Sequence, residues 1–437
     1  MLQAANIIGS LVRSLPDSWV FSKSFRYAKR ISESFESVLD KKDYVCSYQE
    51  KILKDIFTLA TKTIYYREYN FELGIETLPF IQKETIVSNF NDFIITTNKA
   101  DLVSTGGTSG KPLVFYIDKL RKGFEWYWMT SNWSNVDFDL HKSYRAVLRN
   151  HNLENKLYKR NSLLKEIQFN NFCLSDEYLD YIINFIAINK IPYVHAYPSA
   201  ACQLAHRALQ SGRVLPDLKS FLCGSETIYK HQKDTIQNLL GKRMYTWYGH
   251  SEKLILAGEG RKCEYYHHNP FYGFAELVNQ HGDVIRNPGE IGELVGTGFI
   301  NTKMPFIRYK TGDFAEFVGN ECPVCGHIGL TFKNVRGRWS GERIIKNNGD
   351  YVTTTSLNLH NDIYKHINGF QYVQNVKGIV EIRVIPADSW NLEIANRLVS
   401  DLEAKVGHEL KFICKEVTEL EFAKNRKYKL LVQNIEE

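Results

Sequence analysis

The spacing of apolar residues changes character along this chain. Between 46 and 67, Ile52, Leu53, Ile56, Leu59 and Ala60 recur at three- and four-residue intervals, which line one face of a helix. A turn-rich run leads to Leu78 and Pro79, and Lys83-Glu84-Thr85-Ile86 reads as another helix start. Leu102-Val103-Ser104 and Leu113-Val114-Phe115-Tyr116-Ile117 switch to a strand pattern and predict a hairpin around the small-residue loop between them. From 176 to 260, helical segments alternate with short apolar strands at Tyr193-Val194, Phe221-Leu222 and Met244-Tyr245-Thr246-Trp247, an α/β order. Residues 273–334 read as short strands split by Gly, Pro and Asn turns, a β-rich stretch. Beyond Gly337-Arg338, strand-like segments at Gly369–Gln374, Ile379–Val384 and Leu430–Val432 accompany a helix at 391–406. That is enough for a small α+β domain of about a hundred residues. The boundary is predicted near 336–342, giving residues 1–336 and 337–437, with no internal repeat or low-complexity segment.

Composition fits this division. A chain of 437 residues exceeds one simple core, and 43% hydrophobic residues with 25 Tyr and 25 Phe mark it as globular. The net charge of +6 is modest, and the lysines are dispersed without a nucleic-acid motif, which suits anionic small molecules better than nucleic acid. Polar residues such as Asn6, Ser10, Arg13 and Ser14 interrupt the N-terminal apolar positions, so no secretory signal is read there, and no apolar run is long enough to span a bilayer. A cytoplasmic protein is expected. Residues 1–30 suggest a basic amphipathic helix around Leu11, Val12, Val20 and Phe21, expected to pack on the body, with membrane-surface contact as the alternative.

Eight cysteines in a long chain read as cytosolic argue against a disulfide framework, and their spacing carries more information than their number. Cys263-x-x-x-His267 precedes the β-rich stretch, and Cys322-Pro-Val-Cys325-Gly closes it. Two thiolates on one tight turn, with a distant Cys/His pair, suit a structural Cys₃His zinc site with no vacant position for water. His268 is the alternative to His267, and unligated thiols are the plain alternative to the metal. Cys46, Cys173, Cys202, Cys223 and Cys414 show no partner spacing and read as core or incidental residues.

Between the two predicted hairpin strands lies Ser104-Thr105-Gly106-Gly107-Thr108-Ser109-Gly110-Lys111-Pro112. Its glycines allow backbone N–H groups to close on an anion, its hydroxyls add donors, and Lys111 adds charge, as a triphosphate cradle requires. The order is not that of a P-loop, and the loop precedes a strand instead of a helix. The run resembles the phosphate-binding signature of adenylate-forming enzymes, with surroundings similar to the phenylacetate–coenzyme A ligase group, including CapK-type proteins of capsular polysaccharide biosynthesis.

Further segments resemble that family in order. They are Ile64-Tyr65-Tyr66-Arg67, Leu78-Pro79-Phe80-Ile81-Gln82-Lys83, Ala196-Tyr197-Pro198-Ser199-Ala200 and Cys223-Gly224-Ser225-Glu226. Trp247-Tyr248-Gly249-His250-Ser251-Glu252 and Pro305-Phe306-Ile307-Arg308-Tyr309-Lys310-Thr311-Gly312-Asp313 continue the series. Tyr266-His267-His268-Asn269-Pro270-Phe271-Tyr272-Gly273 is similar to a CapK-type run and supports the zinc reading.

The resemblance implies a large adenylating domain at 1–336, with a zinc-bearing β subdomain at 260–335, and a small lid at 337–437 that rotates between two steps. It implies an ATP-dependent ligase that forms an acyl adenylate, releases pyrophosphate, and passes the acyl group to coenzyme A or an amine. Such a role would fall in cell-surface polysaccharide assembly, with contacts to its enzymes, and the alternative is a catalytically idle, nucleotide-binding or scaffolding member. Gly224, Ser225 and Glu226 would form the nucleotide loop. Tyr248 beside Gly249 offers an aromatic face for adenine, Ser251 a hydroxyl for a phosphate, Glu252 a hard carboxylate for Mg²⁺, and Asp313 an acceptor for ribose. Arg338 would reach ribose or phosphate, and Lys427 would act as the catalytic lysine. The chain departs from the family at Trp339-Ser340-Gly341-Glu342, where acidic residues are usual, and at Arg426, where Gly is usual, which leaves Lys424 and Lys429 as alternatives to Lys427. Acid-pocket residues are expected within 141–151 and 195–252.

Overall fold

The computed structural model describes residues 20–105, 113–153, 156–226, 228, 230–337, 343–357, 359, 361–421 and 430–435. They divide between two compact units. The first is drawn from the described residues of Met1–Leu102, Phe115–Lys142 and Tyr245–Arg338, the second from those of Val103–Val114, Ser143–Met244 and Trp339–Glu437. The architecture is mixed α/β, as the residue pattern predicts.

In the first unit the helix Lys23–Ser37 starts where the Ser22 hydroxyl accepts from the Phe25 N–H, an N-cap. Its Phe25, Ala28 and Ile31 are buried, so it packs on the body through its apolar face, but it is not the helix expected over 1–30, because the chain bends at Phe21 and is extended at Ser22 before it starts. Val20 and Phe21 are partly buried, and Phe21 stacks on Phe25 with centroids 4.1 Å apart. Leu11 and Val12 lie outside the described residues. The neighbouring helix Arg121–Trp133 carries Gly123, where a Cβ would lie 2.0 Å from Ser22 Oγ, so only glycine permits this approach.

The helix predicted over 46–67 runs instead from Lys41 to Ala60. Asp40 caps its start by accepting from Asp43 N–H, and Thr63 Oγ1 donates to Ala60 O at its end, a side-chain bond that competes with helix continuation. The β-rich stretch is an antiparallel sheet in the order Gly273–Val278, Ile291–Gly298, Tyr309–Glu321, Ile328–Arg336, Tyr266–His268, Leu256–Glu259 and Arg243–Gly249.

The second unit holds parallel strands in the order Ser220–Cys223, Tyr193–Ala196, Arg145–Leu148 and Glu166–Gln168, with Lys159–Asn161 antiparallel at the edge. The inner strands are covered on both faces, so Ser220–Cys223 and Arg145–Leu148 are buried at every position, while the outer Glu166–Gln168 and Lys159–Asn161 carry polar residues and are only partly buried. The helices Asp176–Ile188 and Pro198–Gln210 supply Ile182, Ile183, Leu204 and Ala208 to their core.

Residues 367–433 of the same unit contain a four-stranded sheet in the order Lys411–Glu416, Ile379–Pro386, Ile367–Val376 and Leu431–Gln433. The helix Leu392–Val406 packs with it. Asn391 caps the helix, and Gly407, at φ +79°, follows its end. The edge strand Lys411–Glu416 has only the short apolar run Phe412-Ile413-Cys414 between charged residues, which is why apolar patterning misses it. Phe172 belongs to this C-terminal core, and the buried Lys346 ammonium donates to its carbonyl oxygen.

Candidate active site and metal centre

The strand Arg243–Gly249, in the first unit from Tyr245 onward, runs out through Tyr248 and Gly249 into a turn closed by Lys253 N–H donating to His250 O, with Lys253 in the left-handed region at φ +62°. The turn holds Ser251 and Glu252. Tyr248 Oη donates to Asp313 Oδ2 at 2.8 Å. Burial, reinforced by the negative Asp313, pushes the Tyr248 phenol well above its ordinary value, so the phenol is the donor and the carboxylate the acceptor.

Asp313 is held from behind. Gly312 turns at φ +75° and its N–H donates to Glu293 Oε1 at 2.9 Å, Thr311 Oγ1 donates to Leu294 O at 2.8 Å, and Asp313 N–H donates back to Thr311 Oγ1 at 3.1 Å.

Glu252 is buried, with Oε2 2.9 Å from His250 Nδ1 and Oε1 accepting from Tyr309 Oη at 3.2 Å. Burial raises its pKa, but the His250 contact, its own backbone N–H and the Tyr309 hydroxyl outweigh that and hold it below the ordinary value. A buried carboxylate kept ionised in this way suits a hard divalent cation.

Arg308, noted in the sequence only as part of a motif, fixes the whole segment. Its Nε and Nη2 donate to Glu276 at 3.1 and 2.8 Å, Nη1 donates to the carbonyls of Glu76 and Leu78 at 2.7 Å each, and its Cζ lies 4.1 Å from the Phe80 ring centroid. Ile81 pairs with Tyr309 beside it. Two sequence-matched segments, 78–83 and 305–313, therefore meet through one guanidinium. A charged residue inside an otherwise apolar run was the signal for it.

In the second unit, Ser104 is buried and its hydroxyl donates to Asn361 O at 3.1 Å, while Thr105 ends the strand Ala100–Thr105. That strand and Leu113–Asp118 form the predicted hairpin. Gly106, Gly107, Thr108, Ser109, Gly110, Lys111, Arg338, Glu342, Lys424, Lys427 and Lys429 lie outside the described residues.

Gly224 and Ser225 follow the strand Ser220–Cys223, with Ser225 at φ +70°. Glu226 takes hydrogen bonds from Ser199 N–H, Ser199 Oγ and Thr353 Oγ1 at 3.0, 3.1 and 2.8 Å. Its carboxyl thus sits at the N-terminus of Pro198–Gln210, where the helix favours negative charge. Burial nonetheless pushes it above its ordinary value.

The sequence-selected Cys263, His267, Cys322 and Cys325 come together, with all four ligand atoms within 4.8 Å of one another. Cys263 Sγ lies 3.4 Å from His267 Nε2 and 3.9 Å from Cys322 Sγ, and Cys325 Sγ lies 3.6 Å from His267 Nε2. A tetrahedral zinc ion at ordinary bond lengths requires S···S edges of about 3.8 Å and S···N edges of about 3.5 Å, so this donor set fits. Burial holds the His267 imidazole down at about 3, leaving a neutral ring. Burial, and then the neighbouring Cys322, pushes Cys263 up to about 12. Crowded thiols resist joint ionisation, and a divalent cation would remove that obstacle.

His268, the alternative ligand, faces backbone carbonyls with both ring nitrogens, Leu256 O at 3.4 Å and Gly273 O at 3.0 Å. Gly260 lies against the cluster. A Cβ there would sit 2.6 Å from His267 Cε1 and 2.7 Å from Cys263 Sγ. Of the remaining cysteines, Cys202 and Cys223 are buried, Cys414 is half-buried, and Cys46 and Cys173 are exposed.

No protein-family model matches the chain. It is 24% identical over 444 residues to Protein CapK of Staphylococcus aureus, covering 95% of this chain and 88% of that protein. Two structures of 2-hydroxyisobutyryl-CoA ligase each cover 90% of both chains. One is in the thioesterification state with 2-HIB-AMP and CoA (TM-score 0.52, 15% identity), the other in the postadenylation state with R3-HIB-AMP (TM-score 0.51, 12% identity). The chain thus has the fold of the adenylate-forming ligases and is similar to Protein CapK through nearly its whole length.

Proposed function

We propose that this protein is an ATP-dependent ligase that activates a carboxylic acid as its acyl adenylate. The observation that carries the reading is the Tyr248–Asp313 hydrogen bond with the ionised Glu252 on the adjoining turn, in a chain of this fold. A substrate carboxylate oxygen attacks the α-phosphorus of ATP, the bond to the bridging oxygen of the β-phosphate breaks, and pyrophosphate leaves. A thiol or amine then attacks the acyl carbon and AMP departs. Positioning and electrostatics carry the first step without an enzyme nucleophile.

In this reading Tyr248 and Gly249 border adenine, Asp313 accepts from ribose, Ser251 donates to a phosphate, and Glu252 holds Mg²⁺. The segment Ser104–Lys111 cradles the triphosphate, Gly224, Ser225 and Glu226 complete the nucleotide loop, and Arg338 and Lys427 act from the hinge and the lid at 337–437. Cys263, His267, Cys322 and Cys325 hold a structural zinc. The acceptor is coenzyme A or an amine.

Similarity to Protein CapK supports a place in capsular polysaccharide biosynthesis, alongside its enzymes. A cytoplasmic location accords with the finding that, among the described residues, no helix is long and apolar enough to cross a membrane.

ATP–pyrophosphate exchange across a panel of aryl, fatty, amino and sugar acids tests the reading, with Lys427→Ala and Glu252→Ala as controls. Exchange with one acid class, lost in both variants, is expected. Nucleotide binding without exchange for any acid would instead assign a binding or scaffolding role.

A further inference from the structure

The parallel strands Glu166–Gln168, Tyr193–Ala196 and Ser220–Cys223 are joined by the helices Asp176–Ile188 and Pro198–Gln210, which run back against them. Both helices therefore end at the amino edge of the strands. The π-helix Asp234–Leu239 ends there too, because the chain that leaves it reaches Arg243, whose carbonyl accepts from Ser220 Oγ at 3.0 Å.

At this edge four aliphatic side chains face solvent. Ile188, Val214 and Leu239 are 80%, 77% and 65% exposed, and Leu209 is 36% exposed. Local contacts draw them together. Thr235 Oγ1 lies 3.4 Å from His206 Nε2, and Leu239 and Leu209 each come about one turn after that contact. Arg213, beside Val214, donates to the Asn184 side chain one turn before Ile188. Cations surround the group. Lys190, Arg213 and Lys219 are exposed and Lys242 is half-buried, whereas across 188–192, 209–220 and 238–242 the one carboxylate is Asp217. Among the described residues none of these four cations is in an ion pair.

We propose that this edge is a docking surface for a membrane that carries anionic lipid, with the aliphatic side chains in the acyl boundary and the cations at the headgroups. Lysine suits such a boundary, since its stem lies along apolar groups while its ammonium stays at the phosphates. A second copy of this chain is a poorer occupant, because a two-fold contact through the edge sets like charges against each other. Protein hot spots favour Trp, Tyr and Arg over Leu and Val, and the exposed apolar groups here are all aliphatic. Cations after helix ends also offset the negative end of the helix dipole, but the exposed aliphatic side chains have no share in that role.

The test is flotation of the full chain with vesicles of phosphatidylcholine and phosphatidylglycerol, against vesicles of phosphatidylcholine alone, with sedimentation velocity in the absence of lipid. Two double variants are compared with the wild type: Ile188→Gln with Leu239→Gln, and Lys190→Glu with Lys242→Glu. The wild type is expected to float with the anionic vesicles, less so at high salt. Each double variant should bind them about tenfold more weakly or worse, at unchanged Tm. If one pair lowers Tm, the other decides.

A wild type that ignores anionic vesicles, or binds both kinds equally, would overturn the docking. So would double variants that bind like the wild type, which would put the lipid contact elsewhere on the chain. Self-association abolished by the Ile188→Gln, Leu239→Gln pair, without vesicle binding, would give the edge to a second copy instead.

Discussion

Replacing Arg308 with Met should undermine the first unit more than any surface change. The side chain is 3% exposed and faces an equally buried Glu276. The substitution removes two bonds to that carboxylate and two to backbone carbonyls, with little loss of packing volume. Breaking a buried pair from one side costs about 3–5 kcal/mol because a charge stays buried without its partner. Each carbonyl left unmatched adds about 1–3 kcal/mol. These groups form one network, so the sum is not additive, and a loss of about 4–6 kcal/mol is the reasoned figure.

That is a large part of the ~5–15 kcal/mol that holds a typical domain folded. Burial pushes the Glu276 carboxyl above its ordinary value, while Arg308 pulls it back, so protonation of the orphaned acid will relieve part of the cost. Urea unfolding followed by tryptophan emission is a suitable assay, because Trp126, Trp128, Trp133 and Trp247 all belong to this unit. The double variant Arg308→Met, Glu276→Leu removes both charges and should regain about 2 kcal/mol or more over the single variant. A single variant within about 1 kcal/mol of wild type, or a double variant no better than the single, would refute the account.

Two further outcomes follow from the sites. The purified chain should carry one zinc ion, released by a thiol-blocking mercurial and read with a colorimetric chelator. Cys322→Ser should lose the ion and lower Tm, and zinc-free protein whose Tm ignores EDTA would count against the centre. For Glu252 the folded pKa lies below the unfolded value near 4.5, so its stabilising contribution is complete above that value and fades as pH falls through the folded pKa. The Tm gap between wild type and Glu252→Gln should therefore be flat above about pH 6 and shrink on acidification. A gap that widens in acid would contradict the direction of the shift.

The sequence by itself determined what depends on short-range order. Apolar period marked the β-rich stretch, the alternating α/β region and the helix ending at Val406, because a two- or four-residue rhythm is set by backbone geometry alone. Residue type and spacing also selected Cys263, His267, Cys322 and Cys325, since a knuckle presents two thiols wherever it folds. Tertiary structure decided the rest. Which of two adjacent histidines turns to the cysteines depends on the strand pairing of Tyr266–His268, which points neighbouring side chains to opposite faces. The helix expected to 67 stops at Ala60, whose carbonyl accepts from both the Thr63 N–H and its hydroxyl, and the edge strand at Lys411–Glu416 pairs with Ile379–Pro386, a partner that short-range pattern does not reveal. Arg308 and Arg149 show the same limit. A charged residue beside apolar ones is visible in the sequence, but which segments it ties together depends on neighbours tens to hundreds of residues away.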